Sequence, residues 1–333
     1  MPLDPIQRIA RNIIARYPDH PARSLARALV EKANGAITLE AARSRVRREL
    51  GSIASPTKGR TSPAFKRAPR APGEGIAAPP SIAKPWLPFD FPATGKIGII
   101  SDIHLPYHSD AALAAAVRQM KRDKVRGILI NGDAVDFYAI SRWEKNPAER
   151  DFKRELEQAR QFFAWLRQEF PRVPIVLKTG NHEERWAAWL IQHAPEICDL
   201  PEMGLAKWLH LPGAGIDFVD DKRPIMLGKL TVLHGHELPR QLASPVNAAR
   251  GAWVRTKATV LVGHHHRTSG HSEPNMWHEE TFSWSIGCLA DLTPEYARIN
   301  AYNHGFAVCD VSDDGSFDVH NYRIAADGAV RSS

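Results

Sequence analysis

Cysteine is scarce in this chain. There are three, Cys198, Cys288 and Cys309, far apart in 333 residues. An odd, dispersed set excludes a disulfide framework and a cysteine-rich zinc site, so any metal would be held by His, Asp and Asn. A reducing cytoplasm is the simplest compartment for such a chain. Long apolar runs are also missing. No stretch approaches eighteen apolar residues, so no transmembrane helix is expected. The opening "MPLDPIQRIARN" lacks the apolar core of a secretory signal. No internal repeat is visible.

Acidic residues are scarce at the front end alone. Up to Pro72 there are fifteen Lys and Arg against five Asp and Glu, whereas the remainder carries 29 basic and 32 acidic residues. The net charge of +7 therefore belongs to the N-terminal part. A localised basic excess favours an anionic partner such as nucleic acid, against the plainer reading of a solubilising tail.

What is present divides the chain. Residues 1–51 read as a small all-α module of three helices. The first opens with Asp4-Pro5, a capping residue followed by proline at the first helical position, and Ile6, Ile9 and Ile13 mark its apolar face. The second spans Ala22 to Lys32 with Leu25, Leu29 and Val30 inward. Thr38 can cap a third, with Leu39, Ala42 and Val46 inward and Arg43, Arg45, Arg47 and Arg48 on or beside the exposed faces. Helix, turn and arginine-rich helix is the outline of a helix-turn-helix nucleic-acid reader, and equally that of a plain interaction or oligomerisation bundle. Residues 52–90, with "SPTKGRTSPAFKRAPRAPGEGIAAPP", read as a Pro/Gly/basic linker whose charges could track a phosphate backbone.

Residues 91–327 have another character. "KIGIIS", "RGILIN", "PIVLKT", "KLTVLH" and "ATVLVG" are short apolar strands, the early ones separated by amphipathic helices. This predicts an α/β domain with covered sheets. "TFSWSIG", "FAVCDV" and "FDVHNYRI" have little helix between them and are expected to complete a second sheet, giving a two-sheet sandwich flanked by helices. Residues 328–333 are left as a tail.

Each of the five apolar strands ends in residues of metal-ligand type. They are Asp102 and His104 in "SDIH", Asp133 in "NGDAVDF", Asn181 and His182 in "GNHEER", His234 and His236 in "HGHE", and His264 and His266 in "GHHH". Ligands of α/β folds gather outside the carboxyl ends of strands, so five such ends can build one site. Side chains two apart on an extended segment point the same way, which would let Asp102 with His104, and His264 with His266, each grip one ion. Asp133 can bridge two ions and Asn181 can lend an amide oxygen. Mixed nitrogen and oxygen donors suit Mn²⁺, Fe²⁺ or Zn²⁺ better than Ca²⁺, with Ni²⁺ also tolerated. The donors exceed what one ion needs, so two divalent ions are expected.

The order Asp-x-His, Gly-Asp, Gly-Asn-His-Glu, His, Gly-His-x-His resembles the calcineurin-like metallophosphoesterase superfamily from about Lys96 to His266. "SDIHLPYH", "GCLADLTPEYA" and the helical front end look like its phage or prophage members. The resemblance implies one metal on Asp102, His104, Asp133 and His266 and another on Asp133, Asn181, His234 and His264, with Mn²⁺ the first expectation. His234 is preferred to His236 because the family's ligand directly follows its strand. His182 would be the non-ligand histidine that assists the leaving group. The implied activity is hydrolysis of phosphate esters by a two-metal-activated hydroxide. A phosphodiesterase or nuclease acting on nucleic acid is the first reading. A phosphatase acting on phosphoprotein or small phosphomonoesters is the second, and a non-catalytic nucleic-acid-binding adaptor the third.

Other residues in these blocks have plainer readings. His265 is expected to face away from the metals. Glu183 and Asp136 orient histidines or cap a helix. His108, Arg142 and Arg267 are read as structural or surface residues first. Trp186 and Trp189 are read as core, with a base-stacking lip as the sharper alternative.

Overall fold

The fold is described from a computed structural model covering residues 4–51, 79–83, 85–144, 146–238, 246–274 and 276–332. The chain divides into two compact units, Met1–Ala83 and Lys84–Ser333.

The first unit follows local rules closely. The Asp4 side chain accepts from Ile6 N at 3.1 Å, Pro5 takes the first helical position, and α1 runs Pro5–Arg16. Helix α2 spans Ala22–Lys32 and α3 Leu39–Glu49, where Thr38 Oγ1 accepts from Ala41 N at 3.3 Å. Ala10, Ile13, Ile14, Leu25, Ala26, Leu29, Ala42 and Val46 form a common core. Leu39, expected inward, is instead 39% exposed, because it opens α3 one turn before its buried face begins at Ala42. Arg45 is held by Asp4 at 2.5 Å, and Arg11 and Gln7 both hold Glu49 at 2.7 Å. These side-chain bonds tie the two ends of the bundle's sequence together. Most of the expected linker, residues 52–78 and 84, lies outside the described residues.

The second unit is a two-sheet sandwich with flanking helices, as the alternation predicted. Its strands are β1 (Phe89–Asp90), β2 (Gly95–Ile100), β3 (Gly127–Asn131), β4 (Ile175–Lys178), β5 (Ile216–Val219), β6 (Ile225–Leu227), β7 (Leu230–Leu233), β8 (Val260–Val262), β9 (Ser269–Pro274), β10 (Glu280–Ser285), β11 (Gly305–Val311), β12 (Phe317–Ile324) and β13 (Val330–Ser332). Its helices are α4 (Asp110–Asp123), α5 (Phe152–Glu169), α6 (Glu184–His193), α7 (Leu205–Trp208) and α8 (Ala248–Thr256). One sheet has the order β1-β6-β7-β8-β10-β9 and the other β13-β12-β11-β2-β3-β4-β5.

Strand alternation explains the layering. In β3, Leu129 enters the core between the sheets while Ile128 and Ile130 enter the core beneath the helices; in β4, Val176 and the pair Ile175 and Leu177 divide the same way. Both faces are thus apolar, which is why these strands read as continuous hydrophobic runs.

Three expectations are corrected. The late strands do not all complete the second sheet: β10 joins β8 there, whereas β11 and β12 extend the sheet of β2, with β11 antiparallel to it from Ala307↔Ile99 to Val311↔Gly95. Without β11, β2 would be an open edge. The final residues are not a loose tail, since Val330–Ser332 pairs with β12. The end of the expected linker belongs to the second unit. Phe89 and Asp90 pair with Ile225 and Met226, Trp86 Nε1 donates to Asp221 O at 2.9 Å, and Arg223 donates to Leu87 O at 2.8 Å. A two-residue strand whose partner lies far along the chain leaves no periodicity to read.

Strands β2, β3 and β4 are parallel neighbours in register (Ile100↔Ile130↔Leu177), and β7 and β8 are parallel neighbours in the other sheet (Leu233↔Val262). Their carboxyl ends carry all five motif blocks to one edge of the sandwich.

Candidate metal centre

The motif residues leave the strands by an abrupt change of backbone. Asp102, His104, Asp133, His264 and His266 all have positive φ, between 52° and 65°. Asp and His are among the few side chains enriched there, yet each such residue costs of order 1–3 kcal/mol. Alternation along an extended chain, as the spacing suggested, is therefore not what aims these residues: Asp102 and His104 share a donor group, whereas His264 and His266 enter different ones. Tight left-handed loops aim them. Close backbone approach accompanies this. A Cβ on Gly180 would lie 2.2 Å from Asp133 Oδ1, and Gly132 (φ +84°) has no room for one beside the His234 ring at 2.5 Å.

The loops are held by buried charges. Glu183, 1% exposed, accepts from Asp133 N, Ala134 N and Gly180 N, each at 2.8 Å, and from Val135 N at 3.3 Å. One carboxylate thus satisfies four N–H groups of the two loops that carry Asp133, Asn181 and His182. Burial pushes the Glu183 carboxyl upward in pKa and Asp133 adds to that, while the N–H groups oppose both. Four converging donors favour the ionised form, against the burial and the Asp133 charge that oppose it. On the other sheet, Glu237 accepts from His234 N and Gly235 N at 3.1 and 2.6 Å and pairs with the fully buried Lys178 at 2.8 Å. Burial opposes ionisation of Glu237, but Lys178 and then His236 bring its pKa to about 2.

At the centre is Asp133. Its Oδ1 accepts from His182 N at 2.9 Å, leaving Oδ2 3.2 Å from His234 Nε2 and 3.9 Å from both His104 Nε2 and His182 Nε2. Asp102 is arranged alike. Oδ2 accepts from Ser101 Oγ at 2.6 Å and His264 N at 2.9 Å, while Oδ1 lies 3.2 Å from His266 Nε2 with no hydrogen bond. His104 Nε2 and His266 Nε2 face each other at 3.2 Å.

The histidines have set orientations. His104 Nδ1 is 3.0 Å from Asp136 Oδ2, and His234 Nδ1 is 2.7 Å from Asn131 O. A ring that donates through Nδ1 turns the Nε2 lone pair inward, as metal-binding histidines do. Asn181 Oδ1 and His234 Nε2 are buried and have no hydrogen-bond partner among the described residues. Buried polar atoms are rarely left so. Three groups of donor atoms lie within 4.8 Å of one another: Asp102, His104 and His266; His104, Asp133 and His182; Asp133, His234 and His264.

Electrostatics points the same way. Burial raises the pKa values of Asp102 and Asp133, but neighbouring histidines, His266 and His234 first among them, pull both below the ordinary range. Burial lowers His234, yet Asp133 and Asp102 raise it to about 10, whereas burial takes His264 to about 3 and His182 to about 4. The cluster attracts positive charge at its centre while its outer histidines stay neutral, the protonation state a metal ligand needs. These residues fit divalent cations.

The predicted ligands Asp102, His104, Asp133, His234, His264 and His266 converge, with His264 at the half-buried margin and the rest buried. Asn181, also half-buried, sits in the loop that Glu183 holds against Asp133. His236 packs its ring beside His234, centroids 5.2 Å apart, but joins none of the donor groups and turns Nε2 to Glu184 Oε1 at 3.0 Å. His265 packs its ring on His264. His108 pairs with Asp110 at 3.1 Å. Asp136 and Glu183 take the supporting roles their place in the motifs suggested. Sequence reasoning missed Arg185, whose guanidinium lies 3.0 Å from His182 Nε2 and donates to Asp136 O at 2.7 Å. Its place in "GNHEER", three residues after His182 at the start of α6, was the available signal. It also missed the Lys178–Glu237 pair, for which no local signal exists.

Comparison with known proteins gives a family. Among solved structures, a single mutant of Vps29 from Entamoeba histolytica is 13% identical, covering 72% of this chain and 97% of its own, at a TM-score of 0.37. The phosphoesterase YfcE of E. coli is 15% identical over 71% and 96%, at 0.34. The nuclease MPE of Pseudomonas putida is 15% identical over 70% and 85%, at 0.31. No curated protein matches the sequence. No helix among the described residues is long and apolar enough to cross a membrane. Residues 95–297 match the calcineurin-like phosphoesterase family, and they contain every motif block and every side chain of the cluster. The chain belongs to that family, the metal-dependent phosphoester hydrolases.

Proposed function

We propose that this hydrolase is a phosphodiesterase acting on nucleic acid. The observation that carries this is the first unit: a capped three-helix bundle whose last helix holds Arg43, Arg45, Arg47 and Arg48, in a stretch with fifteen basic and five acidic residues up to Pro72. Such charge supports binding to a polyphosphate backbone. Arg45 is also paired with Asp4.

The two cations would be held by Asp102, His104, Asp133 and His266 and by Asp133, Asn181, His234 and His264, with Mn²⁺ as the first ion to test. When bound, they supply Lewis acidity that polarises phosphoryl oxygens and acidifies water. The chain does the rest. Glu183 and Glu237 fix the loops before substrate arrives. The Asp136 carbonyl accepts from His182 Nδ1 at 2.8 Å, so Nε2 is the unprotonated nitrogen and accepts from the Arg185 guanidinium at 3.0 Å, which leaves the pair to stabilise the leaving oxygen through the Arg185 charge. Arg185 places a fixed positive charge beside that nitrogen, where charge develops as the ester bond breaks.

The test is hydrolysis with added Mn²⁺ of end-labelled single- and double-stranded DNA and RNA, beside a phosphomonoester and an activated diester. Asp133→Asn controls for contaminants. Cleavage of nucleic acid that is lost in the control is the expected result. Turnover of the monoester alone would replace this reading with that of a phosphatase.

A further inference from the structure

The histidines of the centre are not all oriented by the same means. His104 and His234 each set Nδ1 against an oxygen, Asp136 Oδ2 at 3.0 Å and Asn131 O at 2.7 Å. His266 has no such bond. Its Nδ1 is buried and without a hydrogen-bond partner among the described residues, while Nε2 lies 3.2 Å from both Asp102 Oδ1 and His104 Nε2. An imidazole can rotate about its side-chain bonds, so something other than Nδ1 must hold Nε2 in that direction.

The ring of Tyr302 packs against it. The two centroids are 4.5 Å apart with the planes tilted by 55°, nearer than the His104 ring at 5.1 Å. Tyr302 is held in turn by the asparagines around it. Its N–H donates to Asn300 Oδ1 at 2.8 Å, and Asn300 Nδ2 donates to Leu292 O at 2.7 Å and Ala297 O at 2.6 Å. The next residue, Asn303, donates from N to His266 O at 2.9 Å and accepts on Oδ1 from Thr268 N at 2.8 Å. Near its start, the same segment between β10 and β11 returns to the centre, where Leu289 N donates to Asp102 O at 3.1 Å. The segment that carries Tyr302 is therefore bonded at both stems to members of one donor group, that of Asp102, His104 and His266. Burial, Cys288 and Asp102 all raise the pKa of the Tyr302 phenol, so the ring brings no negative charge with it.

We propose that Tyr302 is a positioning residue of the metal centre: its ring fixes the His266 imidazole by packing, in place of the Nδ1 bond that His104 and His234 have. It serves the cation site that includes His266 and not the one that includes His234. The contact is made by the ring, so the hydroxyl is dispensable. This rests on the ligand sets given above and is independent of whether the substrate is nucleic acid.

The test is Mn²⁺ titration calorimetry of the full chain without substrate, in wild type, Tyr302→Phe, Tyr302→Ala, His266→Ala and the double variant, with circular dichroism to establish the fold of each. Loss of a group that orients a metal-binding histidine costs about 10–100-fold in metal affinity, so Tyr302→Ala should weaken one of two ions about 10-fold and leave the other within about 2-fold. Tyr302→Phe should bind both within about 2-fold of wild type. His266→Ala should weaken one ion, and adding Tyr302→Ala to it should change that ion by less than about 2-fold, because the two act through one contact. Should Tyr302→Ala lose the fold, Tyr302→Leu carries the same comparison. Equal weakening of both ions by Tyr302→Ala would mean a general packing role and overturn the proposal. So would a Tyr302→Phe as weak as Tyr302→Ala, or independent effects in the double variant. If His266→Ala weakens one ion and Tyr302→Ala weakens neither, the role of Tyr302 alone is wrong. If His266→Ala leaves both ions as tight as in wild type, the ligand sets beneath the proposal are wrong as well.

Discussion

The two units obey different rules. In the first, local signals and structure agree at all but one expected core position, Leu39: Asp4 and Thr38 cap, Pro5 starts a helix, and the apolar spacing becomes the core. In the second, the strands are equally regular but the residues that matter sit where the rules are broken. Five Asp and His side chains occupy left-handed backbone, two carboxylates are fully buried, and ligand-type atoms lack partners. The bundle is arranged for stability. The edge of the sandwich holds strain and unpaired charge at one point, which is sustainable because Glu183 and Glu237 satisfy the loop N–H groups around it and because cations can complete it.

Variants can separate the two regimes. The largest effect is expected at the centre. Asp133→Asn removes the charge shared by both donor groups, and Mn²⁺-dependent turnover of an activated diester should fall by about 10³-fold or more while circular dichroism is unchanged.

Next is the frame. Glu183→Gln replaces an acceptor oxygen with an amide that faces N–H groups at 2.8 Å. Urea unfolding should show a loss of about 2–4 kcal/mol, because hydrogen bonds to charge are broken and donors are left buried. If stability were unchanged, the loops would be held by something other than this carboxylate.

Glu155 is a buried carboxyl whose cost varies with pH. Burial raises its pKa to about 7, and Ala139 N donates to its Oε1 at 2.9 Å. Its folded pKa lies above the unfolded value, so the unfolded chain loses its proton first, and stability falls as pH rises from about 4.5 to about 7. Glu155→Gln keeps the acceptor and removes the charge. The variant should match wild type at about pH 4 and exceed it by roughly 2–3 kcal/mol at about pH 8, measured by denaturant titration at both values.

The smallest effect belongs to the bundle. Thr38→Ala removes the cap of α3 and should cost about 1 kcal/mol of the first unit's stability. Turnover of the activated diester should not change.

Much of this was legible in the sequence, for a physical reason. Metal-binding side chains placed just after strands are constrained in both type and position, so the cluster could be assembled from five short blocks before any geometry was known. Helix caps and apolar periodicity are local, which is why the rough bounds read for the second helix coincide with α2, Ala22–Lys32. What escaped is non-local. Phe89–Asp90 becomes a strand only through Ile225 and Met226, Val330–Ser332 only through β12, and Lys178 is buried as a charge only because Glu237 comes to it from the other sheet. The reason given for paired ligands also had to change. Spacing two apart placed Asp102 and His104 in one donor group, but His264 and His266 fall in two different groups, and left-handed loops rather than strand alternation aim all four.

The central claim is that Asp133 joins two cation sites, one completed by Asn181 at its margin. The most direct measurement is the Mn²⁺ stoichiometry of wild type and Asn181→Ala by titration calorimetry. Two ions bound by wild type and one tight ion retained by Asn181→Ala is the expected result. One ion in wild type, or two equally tight ions in both proteins, would contradict it.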